Sequence, residues 1–371
     1  MKLKTKILSG ALLSGLLISS SPISAITYTP TSLNFSSQVG FNGINALGQV
    51  VGVASYNGFQ GPAIWQPGST SPNFLPPLVG GTFASANAIN DSGQIVGVVG
   101  DGLNINNSRA ALWQPGASST INLDTLGTYN SLAYDINNSG QVVGYSSPTY
   151  STQHAMLWES DSTMPIDLGT LGGINSVALA INAHGDVVGY ADTNGNGFQD
   201  AALWLYGSTT AIDLGRPVDG SYSNAYDINA IGEIVGISGL SGGITHAMLW
   251  EPGATTPIDL GTPGENSWAY AINDSGYIVG GYTNNNGVEH AALWMPVSYT
   301  LIDLGSLVAL STGYLSYGIG INNSGQIIGY ATNGQAGIGN YLLTPTAVPS
   351  PSAVWLFGSG LGLLALTRRK S

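Results

Sequence analysis

A nine-residue pattern, Ile-Asn-x-x-Gly-x-(Val/Ile)-(Val/Ile)-Gly, recurs seven times along the 371-residue chain and limits what it can fold into. Its first glycine stands at Gly48, Gly93, Gly140, Gly185, Gly232, Gly276 and Gly325, at intervals of about 46 residues. Most copies are followed by an Ala-x-Leu-Trp string or a relative of it, and then by Ile-Asp-Leu-Gly, as at Ile166–Gly169 and Ile258–Gly261. In Asn137-Asn138-Ser139-Gly140 the residues suit a type I turn closed by a left-handed glycine. Asn in first place can bond to the following backbone, and only Gly takes positive φ without strain. The runs on either side, Val142-Val143, Leu157-Trp158 and Ile166–Leu168, are strand-forming, and their spacing leaves no room for a ten-residue helix. Each unit therefore reads as a four-stranded meander.

Four short strands every 46 or so residues fit a propeller blade better than a turn of β-helix, whose coils are shorter. The expected fold is all-β, a seven-bladed β-propeller over residues 26–346, with an open solenoid as the alternative. Small residues alternate just before each turn, as at Ala133 and Asp135, Ala178 and Ala180, or Ala225 and Asp227, which lets sheets converge near an axis. Repeat seven lacks a following Ile-Asp-Leu-Gly strand, and Ser32–Phe35 ahead of repeat one resembles the missing piece. An N-terminal strand closing the last blade would remove two exposed edges.

Composition narrows the function. The chain has 53 Gly, no Cys, only 8% charged residues and a net charge of −12. Three lysines (Lys2, Lys4, Lys6) and the Arg368-Arg369-Lys370 triplet occupy the two ends, leaving Arg109 and Arg216 against all 20 acidic residues. A phosphate-binding surface needs clustered cations, so nucleic acid is excluded as a partner. A solvated surface, a cation-binding surface or a neutral-glycan partner remains.

Both ends carry address signals. Residues 1–25 read as a secretory signal peptide: a basic start, the apolar run Ile7–Ile18, and small residues before a cut at Ile23-Ser24-Ala25. Residues 347–371 hold Val348-Pro349-Ser350-Pro351-Ser352, the apolar run Ala353–Thr367 and the basic triplet. The alternative for each end is an ordinary membrane anchor. The string VPSPSAVWLFGSGLGLLALTRRK resembles the PEP-CTERM family of sorting signals, with Ser350 in place of the Glu of Pro-Glu-Pro. That resemblance implies a Gram-negative bacterium, handling by signal peptidase and an exosortase, an inner-membrane intermediate, and delivery to the surface or exopolysaccharide matrix. The body, with DLGTLGGINSVALAINAHGDVVGYAD beside HAMLW, resembles the extracellular HAF-repeat family from Asn34 to Thr344. This second resemblance implies export and propeller-like repeats, and brings no catalytic residues.

Candidate sites are few. Asp192, Asn194, Asn196 and Asp200 place ligand-type oxygens at positions 1, 3, 5 and 9 of a Gly-bent loop, a spacing for Ca²⁺ that resembles short DxDxDGxxD loops. Two carboxylates of that pattern are amides here, so a polar surface turn is the plainer reading. His154, His246 and His290 share one repeat position on three blades and cannot meet at one metal; a packing role is expected. The recurrent Trp65, Trp113, Trp158, Trp204, Trp250 and Trp294 are expected to pack between blades. Phe83, Tyr129, Tyr222 and Trp268 lie in variable connections and are the expected binding rim. Asp135 and Asp227 form the one inner-strand acid pair that a propeller hydrolase or lyase would use, with bonding to backbone amides as their plainer role. Gly239–Gly243 matches GxSxG formally, without the strand–turn–helix context. These observations lead to an expected non-enzymatic, monomeric surface or matrix protein that binds glycan through its loop face, with calcium the one cofactor a loop could hold. The alternatives are a polysaccharide hydrolase or lyase and a purely structural module.

Overall fold

The structure, a computed structural model, describes residues 26–32, 40–56, 59–76, 83–101, 104–127, 129–193, 198–261, 265–307, 315–332 and 338–346. The two expected address segments, residues 1–25 and 347–371, lie outside the described residues, as do Asn194 and Asn196. Seven antiparallel sheets of four strands each form a seven-bladed β-propeller, and the one helix among the described residues is the turn Leu304–Leu307.

Blade five shows the unit. Tyr222–Ile228 pairs with Ile234–Gly239, which pairs with Thr245–Trp250, which pairs with Ile258–Asp259. The first strands of successive blades touch one another all the way round, including blade seven to blade one. In blade seven the order is Thr27–Ser32, Ile338–Thr346, Ile327–Thr332 and Leu315–Ile321, so the N-terminal strand is the outer strand of the last blade. The closure expected from the sequence is present, carried by Thr27–Ser32 ahead of the Ser32–Phe35 match; residues 33–39 are outside the described set.

The two glycines of the nonapeptide do different things. The first has φ between 75° and 91° in every copy, the left-handed turn position. The second faces the first strand at such close range that a Cβ on Gly144 would be driven into the Leu132 carbonyl, and the same holds at Gly236 against Asn224. That approach accompanies a β-bulge in each first strand, such as the register shift between Ala133 and Asp135. The core is correspondingly divided. Each apolar cluster spans two adjacent blades, for example Val96, Ala110 and Leu112 with Ala133, Val142 and Trp158. The last such cluster joins Ile328 of blade seven to Phe41 and Trp65 of blade one.

Candidate functional site

The first strands run from one end of the axis to the other and give the two ends opposite chemistry. At the end where they finish, each repeat Asn closes its own turn: the Asn137 Oδ1 accepts from the backbone N–H of Ser139 and Gln141, both at 3.0 Å. The same side chain reaches forward as well. Asn137 Nδ2 donates to the Asn182 carbonyl at 3.1 Å, and the pattern continues round all seven blades until Asn322 donates to Asn45 at 2.9 Å. Seven buried amides thus form a closed belt. Sequence reasoning explained each Asn by its local turn and missed the inter-blade bond. The only signal for it was that Asn stays in a place where Asp or Ser would also close the turn.

At the opposite end the axis widens into a chamber of about 950 Å³. Its wall combines amides (Asn42, Asn87, Asn130) with aromatic groups (Phe83, Tyr134, Tyr330), and among the described lining residues no side chain carries a charge. The bulge is what places them. Tyr134 is the extra residue, so Tyr134 and Asp135 both keep some exposure while Ala133 and Ile136 are buried. The amides are oriented by the next blade: Asn42 Nδ2 donates to the Ala86 carbonyl at 2.7 Å and Asn87 Nδ2 to the Ala133 carbonyl at 2.8 Å. Beyond Tyr330 the aromatic wall continues through Tyr317, Tyr270 and Tyr226, with ring centroids 5.2, 6.3 and 5.8 Å apart in turn. Burial, with neighbouring phenols as the smaller cause, pushes the Tyr134 and Tyr270 hydroxyls well above the ordinary phenol range and raises that of Tyr145. They remain protonated, neutral hydrogen-bonding groups at any physiological pH.

Of the expected rim, Phe83 lines the chamber and Trp268 joins its aromatic wall through Tyr317, at 6.0 Å. Tyr129 stacks edge-on to Tyr150 instead, and the Tyr222 hydroxyl lies 3.3 Å from that of Thr245. Neither Tyr129 nor Tyr222 is part of the chamber lining. The six recurrent tryptophans are 0–1% exposed, and four donate their indole N–H to a carbonyl of the preceding blade, as Trp158 does to Asp124 at 3.0 Å. They are inter-blade wedges. Each repeat histidine is pinned through Nδ1 to the Asp of its own Ile-Asp-Leu-Gly: His154 to Asp167 at 2.7 Å, His246 to Asp259 and His290 to Asp303 at 2.9 Å. The following glycine is needed because a side chain at Gly261 would overlap the His246 ring.

The strand register separates the carboxylates of the calcium-type loop. Asp192 stands opposite Gln199 and Asp200 opposite Ala191, so their side chains leave opposite faces of blade four. Asp192 accepts from Asn175 at 2.8 Å, while buried Asp200 pairs with Arg216 at 3.0 Å. These two side chains do not converge on one ion. Among the described residues no three acidic or histidine side chains gather as a metal cluster.

Asp135 and Asp227 do face the axis, deep in the channel. Each spans two blades: Asp135 accepts from Ile136 and Ile181 N–H at 2.8 and 2.9 Å, and Asp227 from Ile228 and Ile272 at 2.8 Å. Depth in the molecule, against those amides and with Asp135 repelling, raises Asp227 to about 7; burial likewise raises Asp135. Every carboxylate oxygen of the pair is thus engaged by backbone. Gly239–Gly243 forms a hairpin connection with Gly242 and Gly243 at positive φ, and strand Thr245–Trp250 follows it, not a helix.

No family model matches the chain, and no curated protein matches it. Solved structures do. The acylaminoacyl peptidase of Pyrococcus horikoshii is 10% identical over 87% of this chain and 54% of its own, with a TM-score of 0.54. A puromycin-hydrolyzing peptidase of Mycobacterium tuberculosis is 11% identical over 82% and 48%, with a TM-score of 0.53. TolB from Acinetobacter baumannii is 12% identical over 69% and 64%, with a TM-score of 0.43. This chain spans less than two thirds of each of these structures. At such identities the likeness shows the fold alone.

Proposed function

We propose that the protein is an exported, non-enzymatic binding ring, retained at the cell surface or in the exopolysaccharide matrix, that takes a neutral saccharide in the axial chamber. The observation that carries this reading is a chamber whose described lining residues are all uncharged, in a chain of net charge −12, with the Glu289 carboxylate held behind the aromatic wall by the Tyr317 hydroxyl. Amides held in place by the next blade match the hydroxyls of a sugar, and aromatic faces match its C–H surfaces. The basic start of residues 1–25 and the sorting-type end of residues 347–371 support the export half of the proposal.

Isothermal titration of the protein with neutral oligosaccharides, in calcium and in EDTA, tests it. Saturable binding is expected to be equal in both buffers, because Asp192 and Asp200 leave opposite faces of their blade. Tyr134→Ala and Asn87→Ala are expected to weaken binding about tenfold each, the loss of about 1.4 kcal/mol. Absence of binding to any neutral saccharide, or binding untouched by both variants, would sink the chamber reading. Export is tested separately, by fractionation and the mass of the mature N-terminus, expected at Ile26.

A further inference from the structure

The end of the axis opposite the chamber carries a second cavity, of about 200 Å³, wedged between blades five and six. Leu249, Ile272, Ile278 and Tyr299 supply an apolar wall, and Glu233 and Asp274 stand in the same lining. The rim is apolar too: Ile231 is 64% exposed and Val297 92% exposed.

Two residues here adopt backbone conformations that L side chains avoid. Val297 has φ of 64° and Tyr299 of 50°, and they are the non-glycine residues with positive φ among the described residues. At the place of Val297, other repeats have Gly68, Gly116, Gly207 and Gly253, with φ of 71–78°. A β-branched residue where the repeat offers glycine is a local strain, and retained strain marks sites with a use. Both strained residues line this one cavity.

The surrounding face has one sign of charge. The seven Asn-x-x-Gly turns and the connections after each Trp lie at this end, and they carry Asp91, Glu159, Asp161, Asp186, Glu233, Glu251 and Asp274 without a Lys or Arg. The arginines of the described residues are engaged elsewhere, Arg216 by Asp200 and Arg109 by the carbonyls of Ser108 and Tyr129. Among the described residues no Lys or Arg is left to fill this cavity.

We propose that the cavity between blades five and six takes a Lys or Arg side chain of a partner polypeptide. Its aliphatic stem lies on Leu249, Ile272 and Ile278, and its cation meets Glu233, Asp274 and the face of Tyr299. Long basic side chains combine an apolar stem with a charged head, and carboxylates beside an aromatic ring bind that head. Glu233 accepts from Asn229 Nδ2 at 2.7 Å, and Asp274 accepts from Ala230 N–H at 2.8 Å and from Asn323 Nδ2 at 2.6 Å, bonds to neutral donors that fix both carboxylates and leave their charges in place.

The repeat itself provides the test variants. Gln occupies the Glu233 position in four other copies (Gln49, Gln94, Gln141, Gln326), and Asn occupies the Asp274 position at Asn138 and Asn323. Glu233→Gln with Asp274→Asn is therefore compatible with the turn. The probe is a fluorescein-labelled glycine-rich hexapeptide carrying two arginines, with its glutamate counterpart as control, read by fluorescence anisotropy on the full chain. The double variant is expected to weaken binding of the arginine peptide about tenfold, whereas Asp91→Asn with Glu159→Gln, removing the same charge elsewhere on the face, should change it less than about twofold. Val297→Gly is expected to raise the melting temperature and yet weaken binding several-fold, separating this loop's role from its stability. No binding of the arginine peptide, equal binding of the glutamate peptide, or equal losses in the two double variants would overturn the proposal; the last would leave only diffuse attraction to an acidic face.

Discussion

At the residue scale the side chains on the axis are set by what the bulge does to alternation. A strand without a bulge would send Ala133 and Asp135 to one face and Tyr134 to the other; the extra residue lets Tyr134 and Asp135 both reach the channel. The sequence marked Asp135 and Asp227 as near-axis, which the structure shows, and gave no hint of Asn42, Asn87 and Tyr134, because the bulge is invisible to a period-two reading. Asp227 yields a pH prediction. Its carboxyl titrates near 7 in the folded protein and near 3.8 when exposed, so the folded state holds the proton more tightly. Stability from this group is full below about pH 4 and is lost as the pH rises through 7. Asp227→Ala, the residue that Ala271 and Ala180 place at this position, removes that loss. The melting temperature of the variant relative to the parent should rise steadily between pH 4 and pH 8; parallel profiles would show that Asp227 does not titrate in this range.

At the element scale the blade was legible and the joint between blades was not. Seven copies of Asn-x-x-Gly in register fixed the inner hairpins, and the strand lengths followed from the spacing of Gly140, Trp158 and Ile166–Leu168. The inter-blade partner of each Asn stayed hidden because Asn is already explained by its own turn, where Asn137 Oδ1 takes two backbone N–H groups. The belt gives these asparagines a role a local cap does not have. Asn137→Ala deletes the two bonds accepted from Ser139 and Gln141 N–H, the bond donated to Gln141 Oε1 and the bond to the Asn182 carbonyl, in a residue 5% exposed. Leaving such buried groups unpaired costs about 2–4 kcal/mol, to be read from the midpoint of urea unfolding. A loss within about 0.5 kcal/mol of that for an exposed residue of the same turn, Ser139→Ala, would mean that neither the cap nor the belt contributes.

At the scale of the whole molecule the ring stands or falls on its closure. Closure is made by the Asn322 bond to Asn45, by the apolar cluster that joins Ile328 to Phe41 and Trp65, and by the strand Thr27–Ser32 laid along Ile338–Thr346 as the outer edge of blade seven. The sequence showed that such a strand was missing from repeat seven and found its match a few residues too late. Ser32–Phe35, with Leu33 and Phe35 about Asn34, has the mixed apolar and polar look of Ile-Asp-Leu-Gly, whereas the actual strand, Thr-Tyr-Thr-Pro-Thr-Ser, contains Pro30 and no such pattern. An edge strand with one unbonded side tolerates proline, which is why composition did not reveal it. Tyr28 anchors it: the ring packs on the apolar cluster of blades six and seven, and burial raises its hydroxyl to about 12. Removing residues 26–32 would therefore bare the edge of Ile338–Thr346 and uncover that cluster. An exposed strand edge is a template for another chain, so the truncated protein should leave size-exclusion chromatography as dimers and larger species, with a lowered melting temperature. A synthetic peptide of residues 26–32 added during refolding should restore the monomer. A truncated protein that stays monomeric and melts with the parent would show that the outer strand is decoration, and that the apolar joint between blades seven and one and the asparagine belt close the ring without it.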